Sequence, residues 1–100
     1  NLKEAENLIK EALKYKPYDG YITDSLGWVY FKQGRFKEAV EYLEKAVELV
    51  PDDPIILEHL GDAYLKVNDR DNALKYYKRA LLKKQEERDA LEKKIENLLK

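Results

Sequence analysis

Two short segments of this chain repeat each other at a spacing of 34 residues, and this spacing constrains the fold more than any other feature. Leu26-Gly27-x-x-Tyr30 recurs as Leu60-Gly61-x-x-Tyr64. Further identical pairs at the same interval are Lys32 and Lys66, Ala39 and Ala73, Tyr42 and Tyr76, and Ala46 and Ala80. A repeat of this length is typical of supersecondary units that stack side by side, because one unit alone cannot bury its apolar face.

Apolar periodicity and turn residues divide the repeat into helices. The apolar stripe that starts at Leu2 recurs at three- and four-residue steps and predicts a helix over 2–15. Signals for helix ends and starts follow at Pro17, Asp19, Gly34 and Asp53-Pro54. They predict further helices over about 20–33, 36–49 and 54–67, and a fifth that begins near Asp69 or Arg70.

The end of the chain allows two interpretations. Gln85 stands where the earlier units have proline, and no Gly, Pro or Ser follows it. We therefore expect the fifth helix to run unbroken toward Leu99, over about 45 Å; the alternative is a bend near Gln85 into a sixth helix. In function, the tail either caps the last apolar face, which we favour because stacked repeats need capped ends, or forms a dimerising coiled coil.

Composition argues against several classes of function. The net charge of −1 gives no general attraction to nucleic acid or anionic lipid. With no cysteine and one histidine, His59, the chain has no disulfide frame and no zinc-ligand set, and we expect neither a metal nor a cofactor. No apolar run approaches the ~20 residues that span a bilayer, so we expect no direct membrane insertion. The cell compartment stays open.

The repeated pattern resembles the tetratricopeptide repeat family, whose 34-residue unit is a pair of helices. The residues that carry the resemblance are Leu26, Gly27, Tyr30, Gly34, Ala39, Ala46 and Pro51 in one unit and Leu57, Leu60, Gly61, Tyr64, Ala73, Tyr77 and Ala80 in the next. Thr23, Asn68 and Gln85 depart from the family's usual Trp, Gly and Pro. The resemblance implies an all-α, right-handed superhelix of about five helices. Its parts would be a half unit over 1–19, full units over 20–53 and 54–87, and a C-terminal helical segment over 88–100.

Small residues are expected where the helices touch. We expect Gly27 and Gly61 to face Ala39 and Ala73, so that two helix axes approach closely. The half unit lacks its partner helix, which leaves one side of the helix over 2–15 exposed. This side is either a docking surface or a consequence of truncation, since the chain starts in mid-pattern and looks like part of a longer array.

The resemblance also implies non-catalytic protein–protein binding, in which the first helix of each unit lines a groove for a peptide or a partner helix. By position, the groove residues here are Tyr21, Asp24, Ser25, Trp28, Phe31 and Lys32, followed by Ile55, Glu58, His59, Asp62, Leu65 and Lys66. Trp28 either anchors a ligand or is tucked against Tyr21 or the neighbouring helix. We expect His59 to be solvated or structural rather than a ligand contact.

The charges at these positions indicate which kind of ligand the groove would bind. Asp24, Glu58 and Asp62 lie beside aromatic residues, which favours a basic or aromatic-apolar ligand. The family's mode of gripping a terminal carboxylate uses Lys, Asn and Arg at positions that here hold Asp24, Trp28 and His59, so we do not expect it. The rival function is structural self-association through the first helix or the C-terminal tail.

Catalysis is not expected at these positions. Ser25 and His59 occupy equivalent places in adjacent units, about 10 Å apart for packed helices. That is too far for the hydrogen bond that a nucleophile needs from its base. We therefore predict that the chain is not an enzyme.

Overall fold

The computed structural model describes all 100 residues, and they form six helices and no strand. In chain order these are α1 (Leu2–Tyr15), α2 (Gly20–Lys32), α3 (Phe36–Leu49), α4 (Pro54–Lys66), α5 (Arg70–Lys83) and α6 (Asp89–Leu99). The predicted all-α architecture is confirmed, and the first four helices agree with their predicted ranges to within one residue.

The two complete helix pairs begin and turn by the same local devices. Asp19 and Asp53 cap α2 and α4, and one carboxylate oxygen of each accepts hydrogen bonds from the backbone N–H groups two and three residues later. Inside each pair, the turn is made by Gly34 at φ 78° or by Asn68 at φ 64°. Since these residues enter the left-handed region at low cost, α3 and α5 fold straight back on α2 and α4.

The helices stack in chain order into an array of 41 × 25 × 20 Å. α2 packs most extensively on α3 and α4 on α5, and α3 joins the two pairs by packing on α4. One continuous apolar core results, whose largest fully buried side chains are Leu26, Leu43, Ile56, Leu57, Leu60, Tyr77 and Leu91. The array therefore exposes long faces of its helices rather than enclosing a central cavity.

The glycines permit close helix contact, and the atoms nearest to each of them belong to a large side chain of the facing helix. A Cβ atom on Gly27 would lie 2.7 Å from Leu43 Cγ, and one on Gly61 would lie 2.5 Å from Tyr77 Cδ1. These partners lie one helical turn beyond Ala39 and Ala73. Helical side chains lean toward the N-terminus of their own helix, so the residue that covers a facing spot lies C-terminal to that spot.

The prediction of an unbroken fifth helix is wrong; the alternative, a bend near Gln85 into a sixth helix, is what the chain adopts, close to the expected count of about five helices. α5 ends at Lys83, and residues 84–88 reverse the chain through an extended Lys84 (φ −86°, ψ 127°) and a left-handed Glu87 (φ 55°). α6 then packs back on α5 and buries Leu91 and Ile95 in the common core. This burial outweighs the helical preference of the linker, because packing rather than propensity supplies most helix stability in proteins.

One ionised side chain is buried in the array. Glu6 of α1 is 1% exposed and accepts hydrogen bonds from Lys10 Nζ at 2.6 Å, Gln33 Nε2 at 3.1 Å and Arg35 Nη1 at 3.1 Å. Arg35 also holds Glu38 through two hydrogen bonds. This network ties α1 to the turn between α2 and α3. The hydrogen bond from Lys10, followed by that from Gln33, lowers the pKa of Glu6 from 4.5 to about 2, despite the opposing effect of burial.

A lowered pKa in the folded state predicts acid sensitivity. The stabilisation by ionised Glu6 is fully present above the unfolded-state pKa of 4.5 and is lost as the pH falls toward about 2. We expect Glu6→Gln to lower the unfolding temperature at neutral pH and to make no difference near pH 2. Glu38 and Asp69 also have lowered pKa values. The informative quantity is therefore the difference in unfolding temperature between the wild type and Glu6→Gln across the pH range. A difference that grows on acidification would contradict this assignment.

Candidate functional site

The surface of α2 and α4 that is not covered by α3 and α5, here called the α2–α4 face, carries a cluster of stacked rings. Trp28 stacks on Phe31 at a centroid distance of 4.4 Å and on His59 at 3.9 Å, with interplanar angles of 8° and 15°. Phe36, at the start of α3, meets Phe31 edge-on at 5.4 Å. We call Trp28, Phe31, Phe36 and His59 the aromatic cluster. It links both helix pairs through ring contacts of the kind that stabilise protein interiors.

His59 is held in place from two sides. Its Nδ1 lies 2.9 Å from Asp24 Oδ1, and its ring lies on Trp28. The side chains of His59 and Asp24 are only 20% and 14% exposed. Trp28 is therefore tucked against the neighbouring helix, one of the two arrangements anticipated, and it packs on α4 rather than on Tyr21. These contacts fix the His59 ring between α2 and α4.

The Asp24–His59 pair resembles the base and orienting carboxylate of a hydrolase, but no nucleophile is bonded to His59. The Ser25 hydroxyl donates to the backbone oxygen of Tyr21 at 3.1 Å. No group of three or more His, Asp or Glu side chains is arranged to hold a metal ion. What the pair does in this structure is orient the imidazole against Trp28.

The other two carboxylates of the face, Glu58 and Asp62, are bonded to lysines of α6 and of the linker before it. Lys94 Nζ lies 2.8 Å from Glu58 Oε2 and 2.9 Å from Asp62 Oδ1, and Lys84 lies 3.7 Å from Glu58. Asp62 also accepts a 2.5 Å hydrogen bond from Tyr77. Although burial lowers the pKa of Lys94, its bonds to Glu58 and Asp62 raise it above the ordinary value. The acidic character expected of this face is thus largely neutralised within the chain.

Lys94 repeats the placement of His59 one unit later. His59 contacts Asp24 and Trp28, and Lys94 contacts Glu58 and Asp62, which lie 34 residues after that first pair. α6 therefore lies on α4 much as α4 lies on α2. Sequence reasoning missed Lys94 because it follows His59 by 35 residues, not 34, and because the tail was assigned to a continuous fifth helix.

Apolar side chains remain exposed along the same face. Tyr21 and Ile55 occupy equivalent positions in the first turns of α2 and α4 and are 59% and 60% exposed, and Leu65 is 40% exposed. Lys32 Nζ lies 5.8 Å from the centroid of the Trp28 ring, and Lys66 Nζ lies 5.7 Å from that of Phe36. The face thus combines exposed apolar groups with two cations over aromatic rings.

A cavity of about 390 Å³ lies at the α6 end of the face. Its lining residues are Leu65, Asn68, Arg70, Lys94, Asn97 and Leu98. Arg70 Nη2 donates to the backbone oxygen of Leu98 at 3.1 Å, which closes one side of the cavity. Phe36 and the α6 residues of this region were not among the predicted site residues, because contacts between distant segments leave no local signal.

Apart from Ser25, whose hydroxyl bonds to the Tyr21 backbone, the predicted groove residues fall into three groups. Asp24, Trp28, Phe31 and His59 meet in or beside the aromatic cluster, with Lys32 and Lys66 over its rings. Glu58 and Asp62 contact α6. Tyr21, Ile55 and Leu65 are exposed, and only these three offer a largely free apolar surface.

Paired helices that repeat and stack in this way define a helical repeat protein. Two family models match the chain, one described as TPR repeat over residues 27–68 and one as tetratricopeptide repeat over residues 56–91. Together they extend over about two thirds of the chain. The chain belongs to the tetratricopeptide repeat family, with the right-handed superhelical stack of that family.

Solved structures with this architecture include a thermophilic tetratricopeptide protein of Thermus thermophilus, TTC0263, with a TM-score of 0.84 and 28% identity. MamA has a TM-score of 0.88 at 24% identity, a likeness of fold alone. The N-terminal domain of stress-induced protein-1 from C. elegans has a TM-score of 0.78 at 27% identity. This chain is covered at 98%, 97% and 92%, but it spans only 50%, 56% and 76% of those chains.

No curated protein matches the sequence significantly. None of the six helices is long and apolar enough to cross a membrane. Tetratricopeptide repeats are in general protein-interaction modules without catalytic activity, and this is the class of function that the family assignment supports.

Proposed function

We propose that this chain is a non-catalytic protein-binding module of a larger scaffold or adaptor protein, and that its α2–α4 face receives a peptide or a helix of the partner. The observation that carries the proposal is the exposure of Tyr21, Ile55 and Leu65 along one face whose other groups are fixed by internal contacts. Apolar groups on a preformed surface favour binding, because only the ligand must be ordered.

The internal ion pairs bear on the chemistry of the ligand. A basic or an aromatic-apolar segment fits the residue types of the face, but Asp24 is bonded to His59, and Glu58 and Asp62 are bonded to Lys94. A basic ligand would have to compete with these partners. We therefore favour an aromatic or aliphatic ligand side chain placed beside Ile55 and Tyr21.

Selection from a displayed library of random peptides, with this chain as bait, tests the proposal. We expect the selected peptides to be rich in aromatic and aliphatic residues and to bind Ile55→Asp and Tyr21→Asp on the order of tenfold more weakly. Leu82→Asp is the matched control, since Leu82 is an apolar residue of α5 that is 83% exposed.

Two results would count against this function. Equal weakening by Leu82→Asp and Ile55→Asp would mean that the peptides are not bound at the α2–α4 face. Binding that falls steeply with added salt would instead identify a basic ligand, because exposed charge pairs are screened by salt whereas apolar contacts are not.

Self-association through α1 is a second candidate, and an exposed apolar side of this helix favours it. Leu8 is 72% exposed, while Ala5 and Ile9 are only half-buried, although their equivalents Ala39 and Leu43 are fully buried under α2. A second copy of the chain could cover this side. If so, Leu8→Glu would abolish a dimer detected by sedimentation, whereas a mass that is unaffected by Leu8→Glu would exclude α1 as the contact.

A further inference from the structure

The linker between α5 and α6 is unlike the two other connections that lead into the first helix of a unit. Residues 16–19 and 50–53 each contain a proline and end in an aspartate that caps the next helix. Residues 84–88 are Lys-Gln-Glu-Glu-Arg, and Arg88 makes no side-chain capping bond to α6. The linker thus lacks the residues that normally stop one helix and start another.

The linker residues favour a helix, although they form a turn here. Lys, Gln, Glu and Arg are all strong helix formers. Glu87 nevertheless has φ 55°, in the left-handed region where a side chain with a Cβ atom is strained. Straightening residues 84–88 into helix would relieve this strain and add backbone hydrogen bonds, and it would join α5 and α6 into one helix over 70–99.

What prevents straightening in a single chain is the loss of the contacts of α6. These are the burial of Leu91 and Ile95, the bonds of Lys94 to Glu58 and Asp62, and the bond of Arg70 to the Leu98 backbone. The contact between Arg70 at the start of α5 and Leu98 at the end of α6 shows that the two helices run antiparallel. An antiparallel pair joined by a short linker is the arrangement that two copies can exchange symmetrically.

We propose that α6 is an exchangeable element through which two copies of this chain form a dimer, each with a straight helix over 70–99 and with its α6 seated on the partner's α4 and α5. The contacts that α6 makes within one chain are then remade between the two copies, and both linkers become helical. The occupant of the α6 site is thus α6 of the partner subunit. This exchange does not presuppose that a ligand binds at the α2–α4 face.

A matched pair of variants at Glu87 tests the role of the linker. Glu87→Gly relieves the left-handed strain in the monomer with α6 folded back, and it weakens the straight helix of the dimer. Glu87→Ala keeps both the strain in the monomer and the stability of the straight helix. Because a dimer contains two linkers, we expect its dissociation constant to be on the order of a hundredfold larger for Glu87→Gly than for Glu87→Ala. Sedimentation equilibrium after prolonged incubation at high concentration gives both constants.

Complementary charge changes test the exchange itself. Lys94→Glu places like charges against Glu58 and Asp62, and the double change Glu58→Lys with Asp62→Asn places a lysine against Lys94 while leaving an acceptor for Tyr77. Neither protein can seat its own α6 favourably. In an exchanged heterodimer, however, residue 94 of each α6 faces residues of opposite charge on α4 of the partner subunit.

We expect each protein alone to be monomeric with a poorly protected α6, and their equimolar mixture to give a heterodimer by native mass spectrometry. All three substitutions in one chain are the control, and this protein should recover a seated α6 as a monomer. A mixture that stays monomeric would overturn the proposal, and so would equal dimerisation of the Glu87→Gly and Glu87→Ala proteins.

Discussion

Replacing Gly61 by leucine is expected to destabilise the fold by on the order of 3 kcal/mol or more. A Cβ atom at this position alone would lie 2.5 and 2.6 Å from two ring atoms of Tyr77. Tyr77 is fully buried and its hydroxyl is bonded to Asp62, so the ring cannot move aside without losing that bond. The gain in helix propensity from glycine to leucine, about 0.8 kcal/mol, is too small to compensate. Urea unfolding measures the difference.

Gly34→Asn is the control for this prediction. Gly34 has φ 78° and no atom within 4 Å of the site of a Cβ, and Asn68 occupies the equivalent turn at φ 64°. Asparagine should therefore cost about 1 kcal/mol or less at position 34. If the two substitutions cost the same, close packing at Gly61 is not what makes that glycine necessary.

These two glycines also illustrate what the sequence could predict. Gly34 acts locally, through its own backbone angles, and its role as a helix terminator followed from its place after an apolar stripe. Gly61 acts at a distance, by admitting the ring of Tyr77. The repeat showed that Gly61 must lie at a close contact, but that the ring of Tyr77 supplies its nearest atoms depends on the relative shift of two helices, which sequence spacing does not define.

For the candidate site too, the sequence predicted which residues share a face but not which of them touch. The resemblance to the family placed Asp24, Trp28 and His59 on the same face, in keeping with stacked units whose equivalent positions lie side by side. Their mutual contacts depend on rotamers and on the path of α4 over α2, and these were not foreseen. The neutralisation of Glu58 and Asp62 was missed for a different reason, since it required knowledge that the chain reverses at residues 84–88.

The reversal of the chain at residues 84–88 could not be predicted from the local sequence. Residues 84–88 contain nothing that forbids a helix, and the local signal favoured continuity. The structure breaks the helix because, within a single chain, Leu91 and Ile95 are buried only when α6 folds back. A local preference that conflicts with the global packing is uncommon in natural folds, and this conflict is the physical basis of the exchange proposed for α6.

Truncating Leu91 to alanine is expected to release α6 from the rest of the molecule. Leu91 is fully buried in the shared core, and removing such a side chain typically costs about 2–5 kcal/mol. Because α6 is a terminal helix joined by a strained linker, this cost should appear as local opening rather than as global unfolding. We expect hydrogen exchange of the α6 amides to accelerate on the order of a hundredfold, with little change in α2 and α3.

Leu82→Ala provides the matched control, since Leu82 is the same residue type at 83% exposure on α5 and should leave α6 protection unchanged. The measurement also separates the two roles first considered for the tail. The outer side of α6 carries Glu92, Lys93 and Glu96, which all line one shallow polar depression, so little apolar surface remains there for a coiled coil. If α6 acts as a cap, its protection in the dilute wild-type protein is independent of concentration and depends on Leu91. Protection that disappears on dilution would instead mean that the closed monomer does not hold α6 by itself.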